Sequence, residues 1–162
     1  MQTAIGALLG AAAVLFGGQG QPVVKQPVVR IEEAVVIAQA FPQMSIWEAL
    51  GERMDGRHGG ECVEFIQRLF ESYYTDPGFR GHASAIVPNS DVPEVGSAVL
   101  ERGRIGHAAL VTEVTNKEIV VVESNWKMDG MIAYGRRIAI GSKGIRGYYK
   151  FKNPIPDETK VR

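Results

Sequence analysis

Cysteine is nearly absent from this 162-residue chain, and Cys62 is its only thiol. A single cysteine excludes an intramolecular disulfide, and three separated histidines beside it make a structural zinc site unexpected. Charge of one sign is not in excess either, since 18 basic side chains balance 18 acidic ones. Nucleic-acid binders usually carry a pronounced basic surplus, so no nucleic-acid partner is expected. The chain also lacks internal repeats and low-complexity tracts. What remains is 45% hydrophobic and 22% charged, the composition of one ordinary folded domain long enough to bury a core.

Gln2 to Phe16 carry no charged side chain, and Gly17-Gly18-Gln19-Gly20 follow. This run is shorter than the roughly 20 apolar residues of a membrane span and suits a signal-peptide core or short anchor. The competing expectation is a buried apolar helix. Pro22 and Pro27 then break any helix and mark a linker. The expected division is a signal-like or anchor segment over 1–18, a linker over 19–29, a folded domain over 30–153 and a tail over 154–162. An extracytoplasmic protein is expected, secreted or tethered at the cell envelope, or else a phage-associated one.

Within the domain, Ile31 to Ala40 has helical character and stops before Phe41-Pro42. Ser45-Ile46-Trp47-Glu48 has the pattern of a capping box ahead of a helix over Ile46 to Met54. After the loop Asp55-Gly56-Arg57-His58-Gly59-Gly60, the residues Cys62, Phe65, Ile66, Leu69, Phe70 and Tyr73 recur at helical spacing. From Gly96 onward, short β-rich segments are separated by turn residues: 97–100, 107–114, 118–124, 131–140 and 146–152. Helices first and strands afterwards predict an α+β domain with an antiparallel sheet. Ile119 to Val122 is continuously apolar, as in a strand covered on both faces.

Cys62 therefore stands at the first turn of a buried helix, where the macrodipole and unpaired N–H groups favour a thiolate. The competing expectation is a buried structural thiol. A nucleophilic cysteine needs a base. His58 and His82 lie in loops, whereas His107 opens an apolar strand and is held where a general base would be useful. Glu123 and Asn125 close the next strand, and either could orient the imidazole. An odd-numbered hairpin loop, or a two-residue turn offset by a bulge, places His107 opposite Asn125 with Glu123 diagonal on the same face. A plain two-residue turn at Asn116-Lys117 would put His107 and Glu123 on opposite faces. The pair Arg136-Arg137 is expected on a solvated strand face.

Five segments follow one another in order: Gly60-Glu61-Cys62-Val63-Glu64-Phe65, Pro93-Glu94-Val95-Gly96-Ser97-Ala98-Val99, Gly106-His107-Ala108-Ala109-Leu110-Val111, Glu123-Ser124-Asn125-Trp126 and Arg146-Gly147-Tyr148-Tyr149. This set, over residues 45 to 152, resembles the CHAP family of cysteine, histidine-dependent amidohydrolases and peptidases. The resemblance implies a papain-like α+β fold, with the nucleophile helix packed on the antiparallel sheet. It implies Cys62 as nucleophile, His107 as base, Glu123 as the acid orienting it and Asn125 as a polar helper. Glu61 stands where the family commonly has Gln. Trp126, His58, Gly60 and Glu61 are the expected substrate-side residues. The implied substrate is bacterial peptidoglycan, cut at the muramoyl–alanine amide or within the peptide stem or cross-bridge, through a thioester and without cofactor or metal. A monomer is expected, with peptide stems as its partner. The alternatives are a weak or inactive module binding wall peptides, a cysteine isopeptidase or acyltransferase on other amides, and a membrane-tethered structural protein.

Overall fold

The computed structural model describes residues 45–70 and 76–152. The apolar N-terminal segment, the linker, the helix expected over 31–40, Tyr73 and the C-terminal tail lie outside the described residues. Among the described residues two helices, α1 (Ile46–Met54) and α2 (Cys62–Leu69), and a 3₁₀ turn, η1 (Ala83–Ala85), come first. Five strands follow: β1 (Ala98–Glu101), β2 (His107–Val114), β3 (Glu118–Ser124), β4 (Ile132–Ala139) and β5 (Ile145–Tyr149). They form one sheet in the order β4-β3-β2-β1-β5, with every neighbouring pair antiparallel. The domain is therefore α+β. No helix among the described residues is long and apolar enough to cross a membrane.

The two helices begin differently. The capping box of α1 is formed: Glu48 N–H donates to Ser45 Oγ at 3.1 Å, and Ser45 N–H donates to Glu48 Oε2 at 2.7 Å. Glu61, the N-cap of α2, makes no side-chain capping bond. The positive end of α2 is thus left for the group at its first position, which is Cys62.

Alternation along the strands divides the core between the two faces of the sheet. Ala98, Leu100, Ala108, Leu110 and Val122 face the helices and pack with Leu50, Met54, Phe65, Ile66 and Leu69. Val99, Ala109, Val111, Ile119, Val121, Ile138 and Tyr148 form a second cluster on the opposite face. The unbroken apolar run of β3 is accounted for, because Ile119 to Val122 are all buried, Ile119 and Val121 in one cluster and Val122 in the other.

Two bulges decide which polar residues share a face. Thr115 and Glu118 close a two-residue turn at Asn116-Lys117. Thr112 then bulges between Val111, paired with Val121, and Glu113, paired with Val120. Its hydroxyl donates to the Val120 carbonyl at 3.0 Å. The extra residue offsets the turn, so His107 and Glu123 come to the same face. In β4 the register shifts between Val121, paired with Arg136, and Val122, paired with Tyr134. Gly135, at φ +89°, is the bulged residue. Tyr134 consequently packs against the helix-side cluster while Arg136 turns to the other face.

Gly106 sets the entry to β2. Its φ is +68°, and a Cβ there would lie 2.6 Å from the Ser84 backbone nitrogen, which itself donates to the Ile105 carbonyl. Strained backbone and a collision with main chain combine at this one site. Gly106→Ala is expected to destabilise the fold by about 1–3 kcal/mol, measured by chemical denaturation. An unchanged denaturation midpoint would show that this approach is not close in solution.

Candidate active site

Cys62 is half-buried where α2 meets the start of β2. Burial raises its thiol pKa. The hydrogen bond and charge of His107, with the backbone N–H groups of Ala108 and Val63, outweigh burial and bring it below the ordinary thiol value. Two backbone donors and a cationic ring around one sulfur are the surroundings that stabilise a thiolate.

His107 opens β2, with its side chain on the face opposite Ala108. At the first residue of the strand the ring can reach the thiol on the helix side. Nε2–H donates to Glu123 Oε2 at 2.9 Å, which fixes the tautomer and leaves Nδ1 for the sulfur. Burial lowers the imidazole pKa, but the hydrogen bonds and charges of Cys62 and Glu123 raise it from 6.5 to about 9. Around neutral pH the imidazole is thus held in its charged form, and that charge favours the thiolate form of Cys62.

Glu123 is only 1% exposed. Burial raises its pKa, but the hydrogen bonds from His107 and Arg136 and the Arg136 charge bring it below the usual carboxylate value. Arg136 donates from Nε to Glu123 Oε1 and from Nη2 to Glu123 Oε2, both at 2.6 Å. It also donates to both oxygens of Glu101, from Nη1 at 3.2 Å and from Nη2 more closely. Arg136 is therefore no solvated strand residue, contrary to the expectation from its sequence. The bulge at Gly135 turns it inward, while its neighbour Arg137 stays exposed and pairs with Glu118. Glu101 likewise carries no sequence signal that would have marked it.

The remaining expected site residues fall around this centre. Asn125, at φ +64°, donates to Glu61 Oε2 at 3.0 Å and accepts from Gly130 N–H at 2.8 Å. Its amide thus holds Glu61 and the 125–130 turn rather than the His107 ring, and the Glu61 carboxylate is turned toward that amide. Trp126 meets His107 edge-to-face at 5.0 Å between ring centroids, and the Arg136 guanidinium carbon lies 3.9 Å from its ring centroid. Gly60, at φ +74°, has its carbonyl bonded by Ser124 Oγ at 2.6 Å and its N–H bonded to the Gly130 carbonyl. These bonds tie the loop before the cysteine to the end of β3. His58 bridges to Met131 and abuts Gly130; it does not line the Cys62 cleft.

That cleft, about 350 Å³, is lined by Glu61, Cys62, Gln67, His82, Ile105 and Gly106, among others. His82, one of the two loop histidines, thus faces it. A larger cavity of about 600 Å³ beside β5 and the turn before it is lined by Arg102, Lys143, Arg146 and Tyr148, among others, with neither cysteine nor histidine. Glu101, His107 and Glu123 bring one potential metal-ligand atom each within 4.8 Å of one another. The Arg136 guanidinium already bonds both carboxylates, so a metal ion there would have to displace it.

No family model and no curated protein matches the chain. A solved structure, the crystal structure of Ly7917, is similar at TM-score 0.45 with 15% identity, over 73% of this chain. The match spans 61% of that protein's length. At this level the likeness assigns neither family nor function.

The paired charges predict a pH profile. Iodoacetamide should alkylate Cys62 at pH 6–7 much faster than an ordinary thiol of pKa about 8.5. Above pH about 9, where His107 loses its proton, a second inflection should appear. His107→Ala should remove that inflection and move thiolate formation upward. Equal rates and profiles in the two proteins would mean that Cys62 is a simple buried thiol.

Proposed function

We propose that the protein is a CHAP-type cysteine hydrolase of papain-like arrangement that cleaves amide bonds of bacterial peptidoglycan. The observation that carries this reading is the alignment of three groups: a thiol at a helix start, an imidazole against it, and a buried carboxylate on the far ring nitrogen. The ordered motifs from Gly60 to Tyr149 supply the substrate class by resemblance. An extracytoplasmic or phage-associated setting belongs to the same reading.

The chemistry is two-step acyl transfer. The Cys62 thiolate attacks the amide carbonyl carbon, and the C–S bond forms as the carbonyl electron pair moves to oxygen. The Cys62 backbone N–H, at the uncapped start of α2, is placed to stabilise that oxyanion. Protonated His107 gives its proton from Nδ1 to the leaving amine, and the C–N bond breaks to leave a thioester. Neutral His107 then takes a proton from water as the oxygen attacks the thioester. The acyl group leaves as a carboxylic acid, and the thiolate–imidazolium pair is restored. Glu123 holds the ring orientation and stabilises its charged form throughout.

Purified peptidoglycan incubated with the protein should release new amine and carboxyl termini identifiable by mass spectrometry. Cys62→Ala should release none, and His107→Ala should lower the rate by about 10²–10⁴-fold. Identical termini from wild type and Cys62→Ala would refute the proposal.

A further inference from the structure

Nothing in the triad requires Glu101 or Arg136, yet both are turned into it. Glu101 is 8% exposed at the end of β1, directly across from His107 in the strand pairing. Arg136 comes from β4, on the other side of β3, and its fork spans both carboxylates. The charged and titratable groups facing one another here come from four strands and one helix: Glu101, His107, Glu123 and Arg136, with Cys62 on α2 beyond the ring; Glu61, bonded to Asn125, and His82 line the Cys62 cleft. Two carboxyl groups meet one guanidinium and one imidazole, so the formal charges of the four strand-borne groups balance when the ring is protonated.

The geometry points to Arg136, braced by Glu101, as a positioning residue that fixes Glu123 as an ionised acceptor for His107 Nε2 and sets the pH range of the Cys62–His107 ion pair. This inference rests on the cysteine-hydrolase reading above. A carboxylate gripped by two parallel N–H donors cannot rotate its Oε2 away from the imidazole. A guanidinium paired only with Glu123 would cancel that carboxylate's charge and weaken its hold on the imidazolium. Glu101 supplies the second negative charge, so Glu123 is oriented without the local field turning positive. Trp126 stacks over the guanidinium, 3.9 Å from its carbon to the ring centroid, a cation–π contact that shields the charge in part from water.

Removing either member should displace the titration in opposite directions. Removing a negative charge destabilises imidazolium; removing a positive one stabilises it and disfavours thiolate. In the alkylation profile of Cys62 from pH 5 to 10, Glu101→Gln should move the alkaline inflection down by roughly one pH unit. Arg136→Met should move both inflections up. Arg136→Lys, which keeps the charge but loses the fork, should leave the inflections near their wild-type positions. It should nonetheless slow peptidoglycan hydrolysis about 10-fold or more through kcat. A merely structural pair would lower thermal stability in Glu101→Gln and Arg136→Met without moving either inflection.

Glu101→Gln is close to isosteric, so it serves as the test if Arg136→Met does not fold. Folded Glu101→Gln and Arg136→Met with both inflections at wild-type positions would overturn the inference. A wild-type Cys62 that alkylates as an ordinary thiol with no second inflection would instead overturn the hydrolase reading itself.

Discussion

A carboxylate with almost no contact with water is the constraint on which the rest of this site depends. An ionised side chain taken out of water costs several kcal/mol unless partners replace its hydration. Glu123 has those partners on both oxygens: Arg136 Nε on Oε1, and Arg136 Nη2 together with His107 Nε2 on Oε2. Glu101 then balances Arg136, and Trp126 lies over the cation. Each partner is required by the one before it. The imidazole at the end of this series is charged for the same reason, and its charge is part of what lowers the thiol beyond it.

Cys62 and His107 come from opposite sides of one sheet. α2 lies on the helix-side face, whereas His107, Glu101, Glu123 and Arg136 belong to the other. They can meet only where the sheet ends, and His107 is the first residue of its strand. The approach is held by bonds that carry no chemistry. Ser124 Oγ grips the Gly60 carbonyl, Gly59 and Gly60 both donate to the Gly130 carbonyl, and Arg68 donates to the Gly59 carbonyl at 2.8 Å. The loop before the nucleophile is thereby fastened to the end of β3 that carries Glu123, so helix and sheet sides cannot drift apart independently. Asn125 extends the same fastening to Glu61. That contact draws the carboxylate beside the nucleophile toward an amide donor.

Much of this was legible in the amino-acid order. The α1 capping box, the apolar stripe of α2 and the five β-rich segments each express a local period, and local periods survive into the fold with boundaries moved by one to three residues. Cys62, His107 and Glu123 could be proposed as neighbours because a thiol at a helix start is disposed to ionise and a histidine at a strand start is held where it could serve as its base. The hairpin connecting His107 to Glu123 left only a few registers to consider. By itself, then, the sequence determined the class of elements, their order and the three groups brought together.

Tertiary structure decided the rest, and the reason lies in irregularity and distance. Period-two alternation places Tyr134 and Arg136 on one face of β4; a single bulged glycine between them sends one to the helices and the other to Glu123. No spacing rule announces that Gly135 bulges rather than continues the strand. Glu101 and Arg136 are 35 positions apart, and only the order β4-β3-β2-β1-β5 brings them to the same carboxylate cluster. Asn125 looked suited to orient a histidine, but a left-handed backbone turned its amide to Glu61 and Gly130. Chemistry encoded in residue type and local spacing could be read directly. Chemistry that depends on which face a bulge exposes, and on which distant strand lies alongside, exists only once the sheet has formed.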